Sequence, residues 1–150
     1  MTHSITILLR WEAGHRLSKH KGGCKHLHGH SYRAEISLES NTLNTDDMVM
    51  DFSFIKKPIR DWINENWDHA FLLNDRDEFF HFLNQLDGDA LYLFDNKDPT
   101  AEVIAQELLM QAQKVIRTLQ DLTNEEIMPT ITKVKVWETE TAFAEVRYVA

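Results

Sequence analysis

Apolar and polar residues alternate near both ends of the chain, and apolar residues recur at helical spacing in its middle. Ile5, Ile7, Leu9, Trp11 and Ala13 alternate with Thr6, Leu8, Arg10 and Glu12, which predicts a strand with one apolar face. His15 shares the parity of that face. From His28 the even positions are His30, Tyr32, Ala34, Ile36 and Leu38, while the odd positions Ser31, Arg33, Glu35, Ser37 and Glu39 are polar. Side chains two apart on a strand point the same way. His28 and His30 therefore line up with a buried row. Phe52, Ile55, Ile59, Trp62 and Ile63 predict an amphipathic helix ending near Trp67, with Pro58 expected to kink or divide it. Asp98-Pro99 reads as an N-cap followed by proline at the first helical position. The helix so opened carries Ala101, Ile104, Ala105, Leu108, Ala112, Val115 and Leu119 on one face. Two closing strands, Ile131 to Glu138 and Ala142 to Val149, flank a polar turn at Thr139 to Thr141. The order is β-β-α-α-β-β with a helix-or-loop insertion over 76–96. It predicts an α+β fold, an antiparallel sheet with helices on one face.

At 150 residues the chain has the length of one ordinary domain. Its 43% apolar content is that of a globular protein. Cys24 is the only cysteine, so no intramolecular disulfide forms, and its thiol is core filler, ligand or reactive group. No apolar run approaches the ~20 residues that span a bilayer. We read the protein as soluble and cytoplasmic, with no membrane partner. The formal net charge of −8 argues against nucleic acid as a partner, because a basic surface supplies most of that affinity. Within this acidic chain, Arg10, Arg16, Lys19, Lys21, Lys25 and Arg33 crowd the stretch that holds five of the eight histidines. Such a run suits a phosphate-bearing small molecule, and equally a solvated basic loop.

The histidines carry the first chemistry. His28-Gly29-His30 presents two imidazoles to one point, and His15 on the matching parity of a neighbouring strand supplies a third. Imidazole nitrogen suits zinc, and three protein ligands leave a fourth position open for water or substrate. His26 has the same parity, but a regular strand separates it from His30 by ~13 Å, too far for one ion. His3, His20 and His81 have no partner and read as surface residues. Cys24 lies in a flexible basic loop, Gly22-Gly23-Cys24-Lys25, where charge and a metal would lower a thiol's pKa. It reads as base or nucleophile, as a fourth ligand closing a structural site, or as a small buried hydrophobe. Asp68-His69 is either a proton-carrying pair or helix-end capping. Glu138, at the tip of an apolar row, is paired or awaits a ligand, and Glu102 in a first helical turn reads as a dipole-favoured surface acid.

Trp11-Glu12-Ala13-Gly14-His15 and Cys24-Lys25-His26-Leu27-His28-Gly29-His30-Ser31-Tyr32 resemble the 6-pyruvoyl-tetrahydropterin synthase and 6-carboxytetrahydropterin synthase family. The likeness continues through Met48-Val49-Met50-Asp51-Phe52, Asp68-His69, Leu73-Asn74, Pro99-Thr100-Ala101-Glu102 and Trp137-Glu138-Thr139. The resemblance implies the T-fold, or tunnelling fold, and zinc held by His15, His28 and His30. It implies Cys24 as general base or proton carrier, with Asp68 and His69 completing a triad across a subunit interface. Glu138 would anchor the guanidine-like edge of a pterin, with Thr100 and Glu102 adding to that pocket. Homo-oligomers built from trimers, stacked into hexamers, are implied as well.

The Cys24-x-x-x-His28-Gly29-His30 spacing resembles the bacterial 6-carboxytetrahydropterin synthases of the queuosine route. In that reading 7,8-dihydroneopterin triphosphate is converted to 6-carboxy-5,6,7,8-tetrahydropterin, with loss of acetaldehyde and triphosphate. The alternatives are a 6-pyruvoyl-tetrahydropterin synthase, which eliminates triphosphate only, and a non-catalytic module with a structural zinc. The stretch between Asn74 and Pro99 is longer than in compact bacterial members, and Asp47 stands where a glycine often precedes Met-Val-x-Asp-Phe.

Overall fold

The computed structural model describes residues 1–149. Two long strands, β1 (His3–His15) and β2 (His28–Ser40), pair antiparallel along their whole length, from His3 opposite Ser40 to His15 opposite His28. Their alternation does what the sequence pattern requires. Ile7, Leu9, Trp11 and Ala13 on β1 and Tyr32, Ala34, Ile36 and Leu38 on β2 are buried on one face. β2 pairs antiparallel with β5 (Thr130–Thr139), and β5 with β6 (Ala142–Arg147).

The sheet extends beyond the expected antiparallel set. β3 (Ala70–Asn74) joins the last three residues of β1 in parallel, and β4 (Leu91–Phe94) lies parallel to β3. The six-stranded order is β4-β3-β1-β2-β5-β6, so the sheet is mixed. The stretch 76–96, expected as a helix-or-loop insertion, contains α2 (Phe80–Asp87) and β4. Both added strands are short, and Leu72 and Leu73 are buried side by side. Such short runs lack the alternation that marks a strand with one wet face.

α1 (Phe52–Asn66) begins on Asp51, whose side chain accepts from the Ser53 amide, and ends at Trp67. It runs through Pro58 as one helix rather than two. α3 (Ala101–Thr123) starts two residues later than Asp98-Pro99 suggests. Its N-cap is Thr100, whose side chain accepts from the Val103 amide, and Asp98 is used elsewhere. α1 and α3 lay Ile55, Ile59, Ile63, Ile104, Leu108 and Ala112 on the apolar face of the sheet. Among the described residues no helix is long and apolar enough to cross a membrane.

An aromatic column lies in this core next to the histidine end of β1 and β2. Trp11 and Tyr32, cross-strand partners, stack with centroids 5.2 Å apart and planes 7° from parallel. Trp67 packs against Trp11 at 5.2 Å and against Trp62 at 4.9 Å. Trp67 is wholly buried, so Trp67→Ala leaves a large cavity under the strand ends. The expected loss of unfolding free energy is about 3–5 kcal/mol. Urea denaturation monitored by far-UV circular dichroism measures it, and an unchanged midpoint would refute this account of the core.

Candidate metal centre and active site

β1 ends and β2 begins where three imidazoles meet. His15 faces His28 across the ladder, and His30 faces Ala13 one step inward, so all three share the buried side. The ring centroids form a near-equilateral triangle, 4.6 Å for His15–His28 and 5.0 Å for each of the other two sides. One ligand atom from each lies within 4.8 Å of the others. Small residues admit this approach. A Cβ on Gly29 would sit 3.0 Å from the Ala13 carbonyl oxygen, and one on Gly14 would sit 2.6 Å from the Phe71 ring.

Backbone carbonyls decide where the protons lie. His15 Nδ1 is 2.8 Å from the Pro99 carbonyl oxygen, and His28 Nδ1 is 2.7 Å from that of His26. A carbonyl only accepts, so each Nδ1 must carry the hydrogen. In the neutral rings each Nε2 is then a bare lone pair, yet these two atoms are 3.0 Å apart. Two acceptors at that distance repel unless a cation or a proton lies between them. His30 Nε2 is buried with no partner, and so is Glu138 Oε1. This donor set fits a divalent cation with imidazole ligands, oriented by outer carbonyls as such ligands commonly are.

The electrostatics disfavour charge on two of these rings, His15 and His30. Burial lowers the pKa of His15 from 6.5 to about 4, reinforced by His28 and His30 and opposed by the Pro99 bond. His30 is lowered too, by burial first, against the pull of Glu138. Tyr32 places its hydroxyl 3.1 Å from His15 Nδ1, and burial pushes that hydroxyl far above its ordinary value. Tyr32 thus remains protonated, and with the hydrogen on Nδ1 its oxygen can only accept there, second to the Pro99 carbonyl. The sequence pattern marks Tyr32 only as a core residue. Nothing in the pattern points to Pro99, which arrives from 84 residues away.

The remaining candidates divide. Cys24 is half-buried in the loop before β2, and no thiol joins the three imidazoles in the metal-capable cluster among the described residues. Asp68 and His69 lie between α1 and β3. The Asp68 carboxylate accepts from the Glu12 amide at 2.9 Å and lies 3.0 Å from His69 Nδ1. The Glu12 amide, then the His69 ring, hold the Asp68 carboxyl below its usual range. His69 takes a left-handed backbone, φ 62°, and donates its amide to the Glu12 carbonyl at 2.6 Å. Its side chain is 80% exposed, so this pair is held rigidly at the base and open at the tip. His28, His30 and His69 line a shared depression of about 600 Å³ with Glu12, Ser31 and Phe71. No hydrogen bond joins Cys24 to Asp68 or His69 within the described chain.

Glu138 points at the histidines, with Oε1 3.3 Å from His15 Nε2 and 3.8 Å from His30 Nε2. Thr100 caps α3 next to Pro99, and Glu102 is exposed in the first turn. The basic run is not a continuous surface. Arg16 is 5% exposed and paired with Asp77, and Arg33 lies over the Trp137 ring, whereas Lys19, Lys21 and Lys25 remain exposed.

Residues 4–148 match the family described as 6-pyruvoyl tetrahydropterin synthase. A relative from Rickettsia conorii named 6-carboxy-5,6,7,8-tetrahydropterin synthase is 34% identical over 142 residues, covering 94% of this chain and 97% of that one. An uncharacterised protein from Wolinella succinogenes has the same fold, with a TM-score of 0.79 at 22% identity and 98% of each chain covered. So does the 6-pyruvoyl tetrahydropterin synthase of Plasmodium vivax, with a TM-score of 0.75 at 20% identity, covering 99% of this chain and 98% of that one. With a match across nearly all of its length and a relative of this identity, the chain belongs to the 6-pyruvoyl tetrahydropterin synthase family.

Proposed function

We propose that the chain is a zinc-dependent 6-carboxy-5,6,7,8-tetrahydropterin synthase acting on 7,8-dihydroneopterin triphosphate, in the 7-deazapurine route that leads to queuosine. That it is a lyase of pterin chemistry follows from its family. The observation that carries the metal is the pair of bare Nε2 atoms on His15 and His28, 3.0 Å apart, with His30 Nε2 unpartnered beside them. The name borne by the Rickettsia relative supports the carboxy-type reaction over the pyruvoyl type. A structural zinc closed by Cys24 has no support, since the cluster holds no thiol.

His15, His28 and His30 would hold the zinc ion, which would supply Lewis acidity toward the oxygens of the pterin side chain. Cys24 and His69, the latter oriented by Asp68, move protons to and from the reacting carbons. Glu138, its Oε1 unpartnered, accepts from the amino-pyrimidine edge, and the resemblance to the family adds Thr100 and Glu102 to that pocket. The exposed Lys19, Lys21 and Lys25 meet the triphosphate. Cys24 has no bond to its own Asp68–His69 pair, and β1 is paired on its outer side only at Ala13–His15. A β1 edge from His3 to Trp11 that no other strand covers favours pairing with another copy, whose His69 then serves this Cys24.

Three measurements follow. With the metal-loaded protein and dihydroneopterin triphosphate, acetaldehyde is the expected product; triphosphate release without acetaldehyde would establish the pyruvoyl-type alternative. Cys24→Ala is expected to keep its zinc while turnover falls on the order of 10²–10⁴-fold, and loss of metal and fold together would restore the structural module. Mixing inactive Cys24→Ala and His69→Ala proteins under subunit-exchange conditions should recover activity, because some sites then draw both intact groups from different copies. No recovery despite exchange would confine the site to one chain.

The neutral His15 has a consequence for the metal-free protein. The unfolded ring protonates below pH 6.5 and the folded one only near 4, so the unfolded state binds more protons between these values. Stability therefore falls as the pH drops from 6.5 to about 4, by a contribution on the order of 3 kcal/mol from this residue. Denaturant titrations of chelator-treated protein against pH should show that slope, flattened in His15→Gln. Parallel curves for the two proteins would contradict it.

A further inference from the structure

The loop from Arg16 to Leu27 joins the two strands that carry the histidines, and it holds Cys24. Apart from a single 3-10 turn at Gly23–Lys25 it has no regular structure, and Gly22 and Gly23 give it little stiffness of its own. Asp98 ties its first half at Ser18 and Lys19, and two further bonds cross it beside the thiol. One rung is backbone, the Leu17 amide donating to the Cys24 carbonyl at 2.9 Å. The other is Arg16, whose Nη1 donates to the Lys25 carbonyl at 2.8 Å and closes the loop at its base.

Arg16 is itself gripped from outside the loop. Its Nε donates to Asp77 Oδ2 at 2.7 Å, its Nη2 to Glu78 Oε1 at 3.2 Å, and its guanidinium lies 3.8 Å over the Phe79 ring. Arg16 and Asp77 are each 5% exposed, whereas the Glu78 side chain is 77% exposed and screened. Asp77 is fixed in turn, its Oδ1 accepting from the Phe79 amide at 2.8 Å. These three residues lie within the 76–96 stretch, for which the proposed chemistry has no use. A buried ion pair adds little net stability over apolar packing. A planar fork with directed donors does specify geometry.

We infer that Arg16 and Asp77 are a positioning pair for the reaction, in which Asp77 aims the Arg16 guanidinium and Arg16 holds the Lys25 carbonyl, so that the Cys24 sulfur is presented to substrate in one place. The segment after β3 thereby acts on the thiol from across the fold. This rests on the assignment of Cys24 as the group that moves a proton, but its main test does not.

Cys24 is the only cysteine, so alkylation of the whole protein reports on that thiol alone. The zinc-loaded protein is treated with iodoacetamide, and the labelling rate is compared among wild type, Arg16→Lys, Asp77→Asn and Glu78→Gln, with zinc content and far-UV circular dichroism recorded for each. Arg16→Lys keeps a cation against Asp77 but cannot also reach the Lys25 carbonyl. Arg16→Lys and Asp77→Asn should each label about tenfold faster or more, the scale of one lost charge-assisted hydrogen bond. Zinc content should be unchanged, Glu78→Gln should label as wild type, and kcat should fall while KM is little altered. If Asp77→Asn does not fold, Arg16→Lys decides alone. Wild-type labelling rates in Arg16→Lys would overturn the inference, as would equal acceleration in Glu78→Gln, which would mean surface charge rather than a clamp. A wild-type enzyme that fails to turn over dihydroneopterin triphosphate would sink the proposed function and leave the labelling comparison intact.

Discussion

The structure around the strand ends depends on two hydrogen bonds from imidazole Nδ1 to backbone carbonyls, His15 to Pro99 and His28 to His26. They strip the inward nitrogens of hydrogen and aim their lone pairs at one point. Without them each ring could rotate or take its other tautomer, and three histidines on a buried face would be ordinary core residues. The bond to Pro99 also couples the site to α3, because the carbonyl lies one residue before the N-cap Thr100. Helix placement and ligand orientation are thus one event.

Asp98 secures that junction. Its carboxylate accepts from the Ser18 hydroxyl at 2.6 Å, the Lys19 amide at 2.8 Å and the Asn74 side chain at 3.1 Å. These bonds hold its carboxyl below the usual range against the opposing, largest effect of burial. The loop after β1, the end of β3 and the approach to α3 therefore share a single anion. Beneath them the Trp11–Tyr32 stack and Trp67 give the strand ends a stiff floor. Preorganised ligands need such support, since a site held loosely by an ångström loses most of its chemical advantage.

The catalytic candidates show the complementary arrangement. His69 is anchored through its backbone and through Asp68 to Glu12 on β1, yet its ring projects into solvent. A left-handed backbone at a residue with a side chain is a strained choice that surrounding bonds must maintain. That cost is intelligible if the exposed ring works on something outside its own chain. Glu138 is the opposite case, an acceptor turned inward with nothing to accept from.

Sequence by itself determined the two-faced strands, the long helices and the parity of His15, His28 and His30, because alternation and helical spacing report directly which side is buried. It did not disclose β3 or β4, whose short apolar runs carry no periodicity, nor the true start of α3, since Asp98 and Thr100 are both good caps. Only the tertiary structure decided that Asp98 serves three distant donors, that Pro99 orients His15, and that Arg16 is taken out of the basic run by Asp77. Apart from the Asn74 bond, which spans 24 residues, these contacts join segments some 60 to 84 residues apart in the chain. Local pattern records the environment of a residue but not the identity of its distant partner, and the chemistry of this site lies in those partners.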